Sequence, residues 1–273
     1  MAGLIPADLT AADGAALAWF LLAWLGYGWV IQAVRHPAGV TVRLHQVRRA
    51  WMRVMLVRDN RIVDASLIGH TVHSATFFAS TTMVALAALL GILGNFEHSF
   101  TTLADLTFTA KTSRAVAETK VMLLVFVLAH TFLKLSWSLR QLNYCIALIG
   151  AAPPKPDPAR VGAVADRIAT VLSLAINSFN AGIRGYYFGL AALAWLLGPG
   201  AFALATAGIV AMMVWRQFGS GTAEAIRLGH TTYAGGELDA EARAVQADAG
   251  APPRAGAGSS PEATHGLERP GAA

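Results

Sequence analysis

GAALAWFLLAWLGYGWVIQAV, residues 14–34, is a run of 21 residues without a charge, and it decides the fold class. A helix of about 20 apolar residues spans the hydrocarbon core of a bilayer. No Lys or Arg precedes the run, so it lacks the positive start of a secretory signal, and we interpret it as an uncleaved span. The chain is therefore predicted to be an α-helical membrane protein.

Three further apolar runs follow at residues 65–96, 121–150 and 185–215. The last run is too long for one upright span, and Gly198-Pro199-Gly200 near its middle is typical of a helix end followed by a helix start. We expect a hairpin of helices at about 173–197 and 199–218, with a single kinked span as the alternative. The predicted fold is an all-α polytopic bundle, in which four apolar runs form four or five transmembrane helices.

The charges predict how the chain crosses the membrane. Charged residues make up 14% of the chain, against about 25% in soluble domains. The net charge is +5, and the loop between the first two runs holds seven cations: Arg35, Arg43, Arg48, Arg49, Arg53, Arg58 and Arg61. This loop is predicted to be cytoplasmic, with the N-terminus outside the cell (inner) membrane. Because the Arg residues lie beside spans, we expect anionic lipid headgroups as partners and no nucleic acid. Homo-oligomerisation stays open.

Residues 41–61 of that loop have the pattern of a basic amphipathic helix. Val47, Trp51 and Val54 recur at helical spacing, and basic side chains occupy other positions. Such a helix lies in the membrane interface and attracts anionic lipids. The candidate lipid-facing residues are Arg43, Arg48, Arg49 and Arg53. The alternative is that these charges only set the orientation and form no lipid site.

The end of the chain differs in composition. Residues 234–273 contain no aromatic residue and no Ile, and they are rich in Ala, Gly and Pro. Such a segment buries too little apolar surface to offset the entropy of ordering. We therefore predict a membrane bundle at residues 1–230 and a disordered tail at 231–273.

Polar residues within or beside the apolar runs are the candidate functional residues, because intramembrane charges are rare and face a cavity or a partner. They are Arg61, Asp64, Lys134, Arg140, Asn143, Asn177, Asn180 and Arg184. Asp64 is expected to pair with Arg61, Arg140 or Arg184. The alternatives are that Lys134 and Arg140 extend to the interface, and that Arg184 is only the positive flank of a span.

Soluble-type chemistry is not predicted. The sequence has no Gly-rich phosphate loop, nucleophile elbow, HExxH or paired catalytic carboxylate motif. Cys145 is the only cysteine, and the HxxH pair His70 and His73 lacks a third ligand at zinc-site spacing. We expect no catalytic residues, no metal and no cofactor.

Five segments together resemble the Domain of Unknown Function 599 family of multi-pass membrane proteins. They are RDNRIVDASL at 58–67, FFASTT at 77–82, ETK at 118–120, WSLRQLNYCIALIGAAP at 137–153 and FNAGIRGYYF at 179–188. The resemblance covers roughly residues 15–225. It implies a membrane location and leaves the function open, because the family is named for the lack of one.

Three functional hypotheses follow. The first is a pore or carrier for a small solute or anion, lined by the polar candidates. The second is a non-catalytic membrane scaffold, in which the same residues form hydrogen bonds between helices. The third is a lipid-modifying membrane enzyme. A hydrated cavity around Lys134, Arg140 and Arg184 would favour the first hypothesis, and a paired network would favour the second.

Overall fold

The structure is a computed structural model that describes residues 8–33, 40–95, 113–154, 156–218 and 220–234. The described residues form helices joined by turns, with no strand among them, which confirms the all-α prediction. Nearly all of the tail predicted to be disordered, at 231–273, lies outside the described residues. The last helix ends at Ala234, three residues past the predicted start of that tail.

Seven α-helices follow one another along the described chain. They are α1 Ala11–Ala33, α2 Val40–Val57, α3 Ile62–Gly94, α4 Arg114–Gly150, α5 Pro158–Leu193, α6 Pro199–Phe218 and α7 Gly221–Ala234. Among the described residues, three helical segments are long and apolar enough to cross a membrane, namely α3, α4 and Pro199–Ile226, and the count of four or five spans stays a prediction. This finding supports the prediction of a membrane protein.

The antiparallel pair α4 and α5 forms the centre of the bundle. The turn between them is encoded locally, because Asp157 caps α5 by accepting a 3.0 Å hydrogen bond from the backbone N–H of Ala159, and Pro158 occupies the first turn. Along the seam, Ser138 donates a 2.8 Å hydrogen bond to the carbonyl of Ala175. We call the end of the bundle with this turn the turn end, and the opposite end the far end.

Small residues let α4 and α5 approach closely. Gly185 faces Thr131, and Gly182 faces Leu135. An ideal Cβ at Gly185 would lie 1.9 Å from the Thr131 Oγ1, closer than any real contact. Thr131 is itself fixed, because its hydroxyl donates a 2.8 Å hydrogen bond to the carbonyl of Val127. The seam thus depends on glycine at this position.

The chain reverses between α5 and α6, as the hairpin prediction requires. A short 3-10 turn, Ala194–Leu197, leads to Gly198, whose φ of 130° is a conformation that residues with a side chain rarely adopt. Pro199 then begins α6. The Arg216 guanidinium reaches back to donate a 2.9 Å hydrogen bond to the Tyr187 hydroxyl, which a single continuous span would not allow. The predicted helix 199–218 is confirmed, whereas α5 begins well before residue 173.

Helices α1 and α2 run one after the other along α5, in the direction opposite to it. The Phe20 and Phe188 rings of α1 and α5 pack edge to face at 5.7 Å. Further toward the turn end, the His45 and Ser173 side chains of α2 and α5 are 2.9 Å apart. Helix α2 therefore packs side by side with α5, and α7 packs on α2. The amphipathic-helix prediction matches the position of a real helix, whose contact with lipid stays a prediction.

Two separate hydrophobic clusters divide the bundle along its length. The aromatic cluster, near the far end, is centred on Phe20, Trp24, Phe188, Trp195 and Phe202. The aliphatic cluster, near the turn end, is centred on Met52, Met55, Leu142, Ile168 and Leu172. Helices α4 and α5 pass through both clusters and connect them.

The close approach at Gly185 gives a direct test of the packing. Gly185→Ala should destabilise the protein by about 1–3 kcal/mol, because the new methyl group overlaps Thr131. Gly162→Ala in the same helix is the matched control, since nothing lies within 4 Å of its Cβ position. Thermal unfolding of the purified variants measures both effects. Equal melting temperatures for the two variants would contradict the packing described here.

Candidate functional site

Asp64, one of the predicted site residues, is buried at the turn end with 0% exposure. Its carboxylate accepts a 2.6 Å hydrogen bond from the Trp51 Nε1 and a 2.9 Å hydrogen bond from the Arg58 guanidinium. The prediction that Asp64 pairs with Arg61, Arg140 or Arg184 is therefore wrong, because its partner is Arg58. The short link between α2 and α3 places Arg58 beside the first turn of α3, where Asp64 lies.

Arg61 connects the end of α2 to the turn between α4 and α5, and it does not pair with Asp64. Its guanidinium donates hydrogen bonds to three backbone carbonyls, those of Leu56 at 2.9 Å, Ala152 at 3.1 Å and Pro153 at 2.9 Å. The first carbonyl belongs to the end of α2, and the other two belong to the turn between α4 and α5. One side chain thus satisfies carbonyls from two segments that are distant in sequence.

An ion-pair cluster joins α2 to α5. Arg49 donates two hydrogen bonds to Asp166, at 2.8 Å and 2.5 Å, and Arg53 lies 3.7 Å from the same carboxylate. The hydrogen bonds from Arg49 keep the pKa of Asp166 below its usual value, and burial opposes them. Two of the four Arg residues predicted to face lipid thus contact Asp166 of α5, and a third, Arg48, contacts Ser173 of the same helix.

Ser173 lies at the centre of a second polar group. Its hydroxyl accepts a 3.2 Å hydrogen bond from Arg48 and lies 2.9 Å from His45 Nδ1, a hydrogen bond in which the His45 tautomer decides which group donates. Burial lowers the pKa of His45, and the positive charges of Arg49 and Arg48 lower it further. Burial likewise lowers the pKa of Arg48. Burial and the two neighbouring cations therefore favour the neutral form of His45.

The remaining predicted residues fall into two sets. Four are exposed: Arg140, Asn143, Asn177 and Asn180. Lys134 and Arg184 are half-buried, and the Arg184 guanidinium lies 5.8 Å from the centroid of the Tyr27 ring. The structure does not gather the eight candidates into one cavity. It divides them between the turn end, the α1 side of the seam and the surface.

The sequence analysis missed a polar group at the far end. Asp13, only 6% exposed, accepts hydrogen bonds from the Thr10 hydroxyl at 2.6 Å and the Trp195 Nε1 at 2.8 Å. The Lys120 ammonium lies 5.8 Å from the Trp195 ring centroid, and Lys120 is 3% exposed. The sequence patterns assigned Asp13 no role. Its position directly before an apolar run was the available signal.

One more polar contact crosses the aromatic half of the bundle. The Tyr186 hydroxyl donates to the carbonyl of Phe78 at 2.7 Å and lies 2.5 Å from the Thr82 hydroxyl. Each hydroxyl thus has a partner on α3 or α5. Within the described ranges, no group of three or more His, Cys, Asp or Glu side chains is placed to hold a metal ion.

Comparisons with known proteins add a family but no neighbour of known activity. A family model described as "Protein of unknown function, DUF599" matches residues 15–222. No curated protein and no solved structure gives a match. The matched region includes α2 through α6 and most of α1, and with them the polar groups at the turn end.

Asp64 provides the first test of this site. Asp64→Asn should lower the free energy of unfolding by about 1–3 kcal/mol, because it removes the charge that Arg58 and Trp51 contact. Asp157→Asn is the matched control, since Asp157 is exposed and Asn also caps helices. Thermal unfolding measures both variants. An Asp64→Asn protein as stable as the control would show that this buried pair contributes nothing.

His45 gives a prediction on pH. Its pKa is lowered in the folded protein, so the unfolded chain takes up a proton first as the pH falls through about 6.5. Stability should therefore decrease between pH 7.5 and 5.5. His45→Gln should reduce this slope, whereas His73→Gln should keep it because His73 is exposed. Melting temperatures across the range measure the slopes, and identical slopes in all three proteins would contradict the assignment.

Proposed function

The chain belongs to the DUF599 family, and from that premise we propose that it is a non-catalytic multi-pass membrane scaffold whose helices continue past one face of the bilayer into a polar layer. The polar layer consists of α2, α7 and the halves of α3, α4 and α5 next to the turn end. The observation that carries the proposal is the division of the bundle into two hydrophobic clusters, with the ion pairs Arg49–Asp166 and Arg58–Asp64 beside only one of them.

Helix length supports this division. Helix α4 has 37 residues and is therefore about 55 Å long. The hydrocarbon core of a bilayer is about 30 Å thick. Even a strongly tilted α4 would leave several turns outside the core. Helix α5 has 36 residues and pairs with α4 along its length, so it also exceeds the thickness of the hydrocarbon core by several turns.

The distribution of charge indicates which part extends. In α4, residues 121–133 carry no charge, and Lys134 and Arg140 follow in the half next to the turn end. In α5, residues 185–193 carry no charge, and Arg184 is the first cation toward the turn end. Lys134 and Arg184 thus mark one boundary of the apolar zone. We place the bilayer on the far-end side of that level, around the aromatic cluster.

This placement also sets the number of spans and the orientation. Helices α1, α3, α4, α5 and α6 would cross, giving five spans. The polar layer holds most of the Arg residues, so the positive-inside tendency makes it cytoplasmic and places the start of α1 outside the inner membrane. The exposed polar residues, such as Asn177, would then lie in water and need no partner inside the membrane.

The packing of the apolar zone favours a scaffold over a pore. Phe20, Phe202 and Trp195 are each 0% exposed and fill the space between α1, α5 and α6. The hydroxyls of Tyr186 and Thr82, which lie between α3 and α5, are paired with each other. These features support a packed membrane anchor that carries an interaction surface.

Cysteine labelling tests the two-layer arrangement. In a Cys145→Ser background, single cysteines at His73 and Asn177 should react quickly with a water-soluble maleimide applied from the cytoplasmic side. Cysteines at Val84 and Leu190, on the same two helices, should react slowly because lipid covers them. All four native residues are exposed in the bundle, so accessibility within the protein is matched.

Two outcomes would contradict the proposal. Equal labelling at Asn177 and Leu190 would show that the bilayer does not end near Arg184. Anion flux through liposomes containing the purified protein, abolished by Arg184→Gln in a folded variant, would favour the pore hypothesis over the scaffold.

A further inference from the structure

Lys134 and Arg184 lie at the same level on adjacent helices. The contacts of Gly185 with Thr131 and of Gly182 with Leu135 fix the register of the antiparallel seam. Arg184 is next to Gly185 in sequence, and Lys134 is next to Leu135. The two cations are therefore separated by the width of a helix pair and by little distance along the bundle axis.

Both cations are on the side of the seam where α1 packs. Arg184 lies over the ring of Tyr27 in α1. His130, one turn before Lys134, contacts the ring of Trp24 in α1 at 5.2 Å. Since residues four apart share a helix face, Lys134 projects toward the same side as His130. The two cations thus border one notch between α1, α4 and α5.

No carboxylate balances this notch within the part of the chain that the structure describes. The contact of Arg184 is an aromatic ring, and Lys134 has neither a hydrogen bond nor an ion pair among the described residues. By contrast, Arg49 and Arg58 each form an ion pair with a carboxylate. Two neighbouring cations without an anion produce a positive potential that attracts a negatively charged ligand.

Hydrogen-bond donors extend the notch toward the turn end. Asn180 precedes Arg184 by one turn and Asn177 by two turns, so both lie on roughly the same face of α5. Both side chains are exposed. Guanidinium, ammonium and amide groups all donate to phosphate oxygens. Toward the far end, the notch borders Phe126, which is 60% exposed and contacts Trp24.

We propose that this notch, bordered by Lys134, Arg184, Asn177 and Asn180, binds the phosphodiester headgroup of an anionic phospholipid. The inference rests on the proposed function, which places Lys134 and Arg184 at the membrane boundary, where lipid phosphates lie. The exposed apolar surface at Phe126 would carry an acyl chain, whereas a free phosphate would not use it. The site differs from the Arg residues of α2, two of which contact Asp166.

Native mass spectrometry of the purified protein tests the site. Wild-type protein in detergent should retain phosphatidylglycerol in preference to phosphatidylcholine. The Lys134→Gln/Arg184→Gln double variant should lose this preference by about tenfold or more, because two cations at an anionic headgroup are removed. Arg140→Gln is the matched control, since Arg140 is an exposed cation about 120° around α4 from Lys134 and should keep the preference.

Several results would overturn the proposal. They are equal retention of both lipids by the wild type, an unchanged preference in the double variant, and displacement of phosphatidylglycerol by millimolar inorganic phosphate, which would identify a free-phosphate site. Melting temperatures show whether each variant folds. If Arg184→Gln does not fold, two other variants replace it: Arg184→Lys should retain the preference for phosphatidylglycerol, and Lys134→Gln should reduce it. If the preference for phosphatidylglycerol is absent while the maleimide still labels a cysteine at His73 faster than one at Val84, only the headgroup site is wrong. If the two cysteines are labelled at the same rate, the polar layer itself is wrong.

Discussion

The antiparallel pair α4 and α5 is longer than a bilayer is thick. Two helices of about 55 Å, packed along one seam, cannot both be covered by about 30 Å of hydrocarbon. Under the proposed placement, the part of each helix that extends beyond the hydrocarbon lies in water. The two hydrophobic clusters agree with this division, since one consists mainly of aromatic rings and the other of aliphatic side chains beside ion pairs.

The seam between α4 and α5 explains why the aromatic half and the aliphatic half of the bundle are joined. Gly182 and Gly185 bring the helix backbones close together, and the Ser138 hydroxyl bonds across to a carbonyl further toward the turn end. At the turn end, Arg61 holds the end of α2 against the turn between α4 and α5. Arg49 and the Arg61 contact with Leu56 hold α2 at two places, so the polar half of the bundle is fixed to the same α4–α5 hairpin that contributes to the aromatic cluster.

Sequence patterns predicted the elements better than their partners. The apolar runs predicted helices, and Gly198-Pro199 predicted the reversal, because both depend on local composition and backbone geometry. The partner of Asp64 was predicted incorrectly, because a choice among several Arg residues depends on how α2 meets α3. The indole link between Asp13 and Trp195 joins residues 182 positions apart, and no local pattern encodes it. The long start of α5 was missed because its polar residues pair with α2, as Asp166 does.

In the proposed arrangement the bilayer ends near Lys134, and the rest of α4 lies in water. Spin labels at exposed positions along α4, namely Met122, Phe126, Leu133, Trp137 and Tyr144, would measure it most directly in lipid nanodiscs. Collisions with oxygen should dominate at Phe126, and collisions with a water-soluble nickel complex should dominate at Tyr144, with the change close to Leu133. Oxygen-dominated collisions that continue through Tyr144 would contradict the account.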